Sequence, residues 1–191
     1  MALAPWRLPL ARALHRNRSL AYSRYVQLAT VDAQGRPHNR TVVFRGFSQD
    51  RDTLAFVTDR RSEKVQHLHH QPWGELCWYF PQTREQFRLA GVLELVDGDH
   101  PDPLAQAERR ERWQALSDAG RQQFLWPHPG QPRTGDLPVN IPVPPEPPAE
   151  FCVLWLHPWQ VDHLELRGQP QNRYRYWQTS PGDWMVVAVN P

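Results

Sequence analysis

The chain has 191 residues, 40% of them hydrophobic and 11% aromatic, which fits one globular domain over 1–191 with a full core and excludes a disordered chain. A formal charge of +2, carried by scattered arginines with no basic tail, gives no footing for nucleic acid. No apolar run approaches the ~20 residues that a membrane span needs, and Cys77 and Cys152 stand alone in apolar stretches, as free buried thiols in a reducing cytoplasm do.

The first predicted element is a helix over 5–18. MALAPWRLPLARALHR alternates short apolar pieces with Arg7, Arg12 and Arg16, an amphipathic pattern without the continuous apolar centre of a secretory signal. Strands follow at 24–32 and 37–45, parted by the hairpin turn Asp32-Ala33-Gln34-Gly35. A third strand, 53–58, runs into Arg60-Arg61-Ser62-Glu63-Lys64 and a short helix over 62–70 that Pro72 stops. Strands at 74–80 and 85–97 are joined by Pro81-Gln82-Thr83-Arg84, and Gly91 marks a bulge or a corner in the second. A helix over 101–119 carries Leu104, Ala107, Trp113 and Leu116 among charges.

Residues 127–148 hold nine of the chain's 20 prolines and can form neither an ordinary helix nor a central strand. They read as an irregular loop wrapping the domain or as a lid. The alternative, a polyproline ligand at Pro142-Val143-Pro144-Pro145, is less favoured, because such peptides sit in disordered tails and this one lies between elements. The last quarter gives strands at 151–157, 159–166, 172–178 and 184–189, the final two joined by Ser180-Pro181-Gly182-Asp183. Many short strands in hairpin order with few helices predict a mainly β fold, an antiparallel barrel.

Chemistry gathers in one region. Arg40, Arg45, Thr58, Arg61, Ser62 and Lys64 fall at strand ends and a helix start, and Lys64 is the only lysine. Converging cations and hydroxyls at a helix start, with Ser62 placed to cap it, suit an anionic phosphate ester. The rival reading makes the arginines guards of an exposed strand edge, and spacing alone puts it slightly ahead. His67, His69 and His70 beside Glu63 have the spacing of metal ligands, yet they precede a proline at a helix end, where histidines meet the helix dipole. A solvated helix end without metal is expected. Most of the nine tryptophans belong to a core; Trp126, next to the proline-rich loop, is the candidate for stacking on a planar ring.

The order of motifs shifts the balance. LATVDxxGRPxxRTVVFRGF, then FVTDxRSxK, a short helix, a strand with Cys-Trp-Tyr-Phe and then Arg-Glu-Gln-Phe-Arg resembles the pyridoxamine 5′-phosphate oxidase family. The resemblance runs over 25–96 and resumes from Trp159 onward. It implies a split β-barrel that forms a homodimer and binds FMN at the subunit interface. By position, Arg40, Thr41, Val42, Val43 and Arg45 match the segment along the flavin and its phosphate, and Val57 and Thr58 match the next strand end. Ser62 and Lys64 match the phosphate-binding helix start, Gln86 a flavin-contacting glutamine, and Arg173 a flavin-contacting arginine.

The departures are informative. Glu63 stands where the family commonly has arginine, so Arg60 or Arg61 is expected to substitute and Glu63 to face solvent. Leu166 takes a tryptophan position. The arginine–histidine pair that holds the substrate has no counterpart in GQPQNRYRYW, and the middle segment ERWQALSDAGRQQFLWPHPGQP also differs. The cofactor half of the pattern is kept better than the substrate half. The resemblance therefore implies an FMN-dependent oxidoreductase acting on an unidentified small molecule, with no side chain assigned a catalytic role. The alternatives are an authentic oxidase making pyridoxal 5′-phosphate and a non-enzymatic flavin-binding or partner-binding protein.

Overall fold

The computed structural model describes residues 3–48 and 52–191. Helix α1 (Arg7–Arg16) buries Leu10 and Ala13, with Trp6 just before it, and its end is tied down by Asn17, whose amide donates to Ala13 O and Thr83 Oγ1 while its oxygen accepts from Gln82 N–H. Along β1 (Tyr25–Val31) Val26, Leu28 and Thr30 are buried and Tyr25 and Gln27 are not, the period of two of a half-buried strand. It pairs with β2 (Pro37–Val43) across a turn in which Asp32 accepts from Gln34 and Arg36 N–H. Next come β3 (Gly46–Phe47), β4 (Leu54–Asp59), α2 (Glu63–His70), β5 (Trp73–Phe80) and β6 (Glu85–Val96). The chain continues through α3 (Pro103–Gln114) and α4 (Asp118–Gln122) to β7 (Phe151–Glu165), β8 (Asn172–Ser180) and β9 (Asp183–Val189).

All strand pairs are antiparallel, in the order β2-β1-β5-β6-β7-β4-β3, with β8 on β7 and β9 on β8. The sheet curls until β2 leads back to β4, where Arg45 N–H donates to Ala55 O at 2.8 Å. This is the expected mainly β split barrel. Its interior is filled by Leu28, Phe44, Phe56, Trp78, Phe87 and Leu156, and α1 packs against it. A second cluster, with Trp113, Phe124, Phe151 and Val153, lies between α3 and the outer side of β4 and β7. No helix of the described residues is long and apolar enough to cross a membrane.

Three local expectations change. The strands expected at 151–157 and 159–166 are one, because Pro158 sits at a bulge: Ala90 pairs with Gln160 and Gly91 with Pro158, leaving Trp159 out of register. A Cβ on Gly91 would lie 2.0 Å from His157 O, so only glycine permits this approach. The two halves of β7 then pair with different neighbours, β4 before the bulge and β8 after it. The helix expected over 101–119 is divided at Ser117, whose hydroxyl accepts from Gly120 N–H and caps α4. Leu104 faces solvent at 65% exposure, while Ala105 and Trp113 supply the buried contacts.

The proline-rich segment is an irregular strap whose carbonyls are used within the molecule. Trp113 Nε1 donates to Pro144 O, Gln122 to Ile141 O, and Arg109 to Pro148 O and Phe151 O. A buried arginine inside a helix thus fastens a loop that has few N–H groups of its own.

Candidate functional site

The end of β4 and the start of α2 lie across from β2, and a cavity of about 410 Å³ opens between them. Arg40, Thr41, Val42 and Val43 of β2, then Arg45, line one side. Val57, Thr58 and Asp59 of β4 and Lys64 of α2 line another, and Leu116, Gly120, Gln123, Phe124, Trp126 and Pro129 close the third. Eight of the twelve residues singled out from the sequence as cofactor-binding therefore share one cavity, and Trp126 joins them. Asp59 and, Trp126 apart, the residues of the third wall carry no signal in the sequence. Nothing in 116–129 beyond its tryptophan has a recognisable pattern.

The cations are held by short polar contacts. Lys64 Nζ donates to Ser62 Oγ at 2.9 Å and to Thr58 Oγ1 at 3.1 Å, which leaves one of its three N–H groups for a ligand. Burial, then the charge of Arg40, lowers its pKa. Arg40 Nη1 donates to Thr30 Oγ1 at 2.7 Å and Leu28 O at 3.2 Å, and burial likewise lowers its pKa. Asp59 would repel an anion, but Arg61 clasps it with two forked bonds of 3.0 and 2.7 Å.

Four predicted residues lie outside the lining. Arg61 spends its guanidinium on Asp59. Ser62 occupies the position before α2, but its hydroxyl donates to Asp59 O and receives Lys64, so it orients the lysine and does not cap the helix. Gln86 and Arg173 lie in one cross-strand row on the sheet's outer face, Tyr79–Gln86–Leu164–Arg173, with Arg173 bonded twice to Asp162. Arg60 points to Asp97 and Asp99. Glu63 is exposed, as expected.

The histidine group divides. His69 and His70 are exposed, but His67 is buried at 8% exposure with Nδ1 2.9 Å from Thr30 Oγ1, because α2 turns that face toward β1. Elsewhere, Glu85, His163 and Glu165 bring ligand-type atoms within 4.8 Å of one another. Arg12, Arg16 and Arg167 line the same cavity, and three guanidinium groups oppose a cation there.

Residues 3–97 match the family described as pyridoxamine 5′-phosphate oxidase, FMN-binding domain. The chain is 39% identical to pyridoxine/pyridoxamine 5′-phosphate oxidase 2 of Arabidopsis thaliana, covering 99% of this chain and 98% of that one. It superimposes with a TM-score of 0.91 on a pyridoxamine 5′-phosphate oxidase-related, FMN binding protein of Nostoc punctiforme, 53% identical with full coverage of both chains. PhzG of Burkholderia lata, 17% identical with a TM-score of 0.73 over 100% of this chain and 98% of that one, shares the fold. The motif series, the split barrel and near-complete alignment with these relatives agree: the chain belongs to the pyridoxamine 5′-phosphate oxidase family, whose common domain binds FMN.

Proposed function

We propose that the protein is an FMN-dependent oxidoreductase that holds its cofactor in the cavity beside β2 and acts on a small molecule. The observation that supports it most is the convergence of Arg40, Thr58 and Lys64, from three different elements, on one cavity in the order of the family motif. A phosphate monoester carries close to two negative charges, and Arg40 and Lys64 meet it with a fork and a point charge while Arg61 silences Asp59. Thr41, Val42, Val43 and Val57 offer a wall with apolar side chains for a flat ring, with Trp126 on the other side. When bound, FMN supplies hydride or electron transfer, so the chain needs only to bind, orient and shield.

Gln86 and Arg173, outside this cavity, would serve the cofactor of a second copy in a homodimer. The outer face that carries them leaves Tyr79, Met185 and Val187 40–47% exposed, apolar surface suited to burial against another copy. Two free cysteines, one buried and one half-buried, suit a cytoplasmic protein.

The test is a titration of apoprotein with FMN and riboflavin. FMN should bind at least about a hundredfold more tightly, since each charge-assisted contact contributes roughly 1.5–3 kcal/mol. Equal affinities would overturn the placement of the phosphate. Reduction of the yellow protein by candidate donors and its reoxidation in air separate an enzyme from a flavin carrier. The Arabidopsis relative's designation favours a second reading, an authentic oxidase, which pyridoxal 5′-phosphate formation from the pyridoxamine ester would establish.

A further inference from the structure

We propose that His67, which does not line the cavity, is a positioning residue that fixes Arg40 and thereby sets the protein's preference for a phosphorylated flavin over riboflavin. The proposal rests on the FMN reading above.

A guanidinium has only donors, so in the 2.7 Å contact with Arg40 Nη1 the oxygen of Thr30 must accept. Thr30 is 1% exposed, and its own hydroxyl hydrogen needs a partner inside the protein. His67 Nδ1, at 2.9 Å, is in place to accept it. The direction of the whole chain is thus dictated by Arg40: guanidinium to hydroxyl, hydroxyl to imidazole. His67 is therefore neutral, with its proton on Nε2.

The surroundings keep it so. On β2, His38 lies with its ring 4.6 Å from that of His67 and bonds Asp32 of the turn at 3.1 Å, and Arg40 adds a full positive charge. Glu63 acts from α2 itself. Burial first, then His38 and Arg40, lower the pKa of His67 against the opposing pull of Asp32 and Glu63. A protonated ring would turn Nδ1 into a donor and leave the Thr30 hydrogen buried without an acceptor.

The consequence is specific. A long arginine side chain loses rotamer freedom when it grips a ligand, and one already anchored loses less. Arg40 is anchored through Thr30, which is oriented by His67. Removing the anchor should weaken the grip on phosphate and leave contacts to the rest of the flavin alone.

The experiment titrates FMN and riboflavin into full-length apoprotein of four variants. His67→Phe keeps a ring beside His38 but removes the acceptor; His67→Asn restores an acceptor oxygen near the place of Nδ1; Thr30→Val removes the middle hydroxyl; Arg40→Ala removes the grip itself. His67→Phe should weaken FMN binding about tenfold while changing riboflavin binding less than about twofold, the size expected for loss of one positioned bond in a buried network. His67→Asn should recover most of the loss. Thr30→Val should reproduce it, and adding His67→Phe to Thr30→Val should change nothing more. Should His67→Phe not fold, Thr30→Val carries the same comparison. Equal losses for both flavins would mean a purely structural role, and unchanged FMN binding in His67→Phe and Thr30→Val would mean no role; either overturns the proposal. Unchanged FMN binding in Arg40→Ala would instead overturn the FMN site.

Discussion

Adjacent basic residues in this chain have different work, and their partners separate them. Arg60 is half exposed and stands 3.5–3.6 Å from Asp97 and Asp99, whereas Lys64 is drawn between Thr58 and Ser62 at the cavity wall. Net charge alone would make their loss equivalent. Lys64→Ala should weaken FMN binding roughly ten- to a hundredfold, the loss of a charge-assisted contact. Arg60→Ala should change it less than about threefold, since a solvated charge is screened over about 8 Å at physiological salt. Titration of each folded apoprotein decides; a larger effect at Arg60 would move the phosphate onto the loop before α2. The cavity-lining residues legible from sequence are 40–43, 45, 57–58 and 64, where motif and strand period coincide. Asp59 was not legible as a wall residue, nor Arg61 as its guard, because a bidentate pair two residues apart depends on backbone direction after β4 ends. The burial of His67 is hidden from sequence for a related reason: which histidine of three turns inward depends on where the strands beneath α2 lie.

At the scale of elements, β7 shows how one glycine governs a strand fifteen residues long. Gly91→Ala would drive a methyl group into His157 O, and stability should fall by about 3 kcal/mol as the bulge is forced open. Chemical denaturation measures it, and a near-neutral result would mean that β6 can part from β7 cheaply at that point. Beyond the bulge, Asp162 is only 6% exposed and bonds both Arg88 and Arg173. Burial alone would raise its pKa; hydrogen bonds from Arg173 and Arg88 outweigh it and lower the value. A depressed folded pKa stabilises above the unfolded value and is lost as pH falls through the folded one. Asp162→Asn should therefore cost about 2 kcal/mol near neutrality, less than a fully buried pair because both guanidinium groups reach solvent. The gap between wild type and variant should shrink below about pH 4, where the unfolded carboxylate takes up its proton. A gap that stays constant into acid would show that the pairing leaves the carboxyl pKa unshifted. Hairpin order and turn residues made most strands readable in advance. The continuity of β7 was not, because a proline inside an apolar run ordinarily ends a strand and the permitting glycine is some seventy residues away.

Taken whole, the molecule presents one face of its curled sheet finished by α3 and the proline strap, and another on which Tyr79, Met185 and Val187 stay partly exposed. The proposed homodimer should gain stability with added FMN, because a ligand that binds across an interface favours assembly by mass action. Sedimentation with and without FMN tests it, and a monomer that retains FMN tightly would refute it. The molecule has, in addition, a single side-chain amine, and that amine stands at the cavity wall with a lowered pKa. Its neutral, nucleophilic fraction is accordingly larger than that of an ordinary lysine at the same pH. Acylating reagents that scatter over the lysines of most proteins have one side-chain target here, and peptide mass mapping should separate its modification from that of the α-amine. Occupancy of the cavity thus becomes readable as protection of one atom, without any knowledge of the substrate.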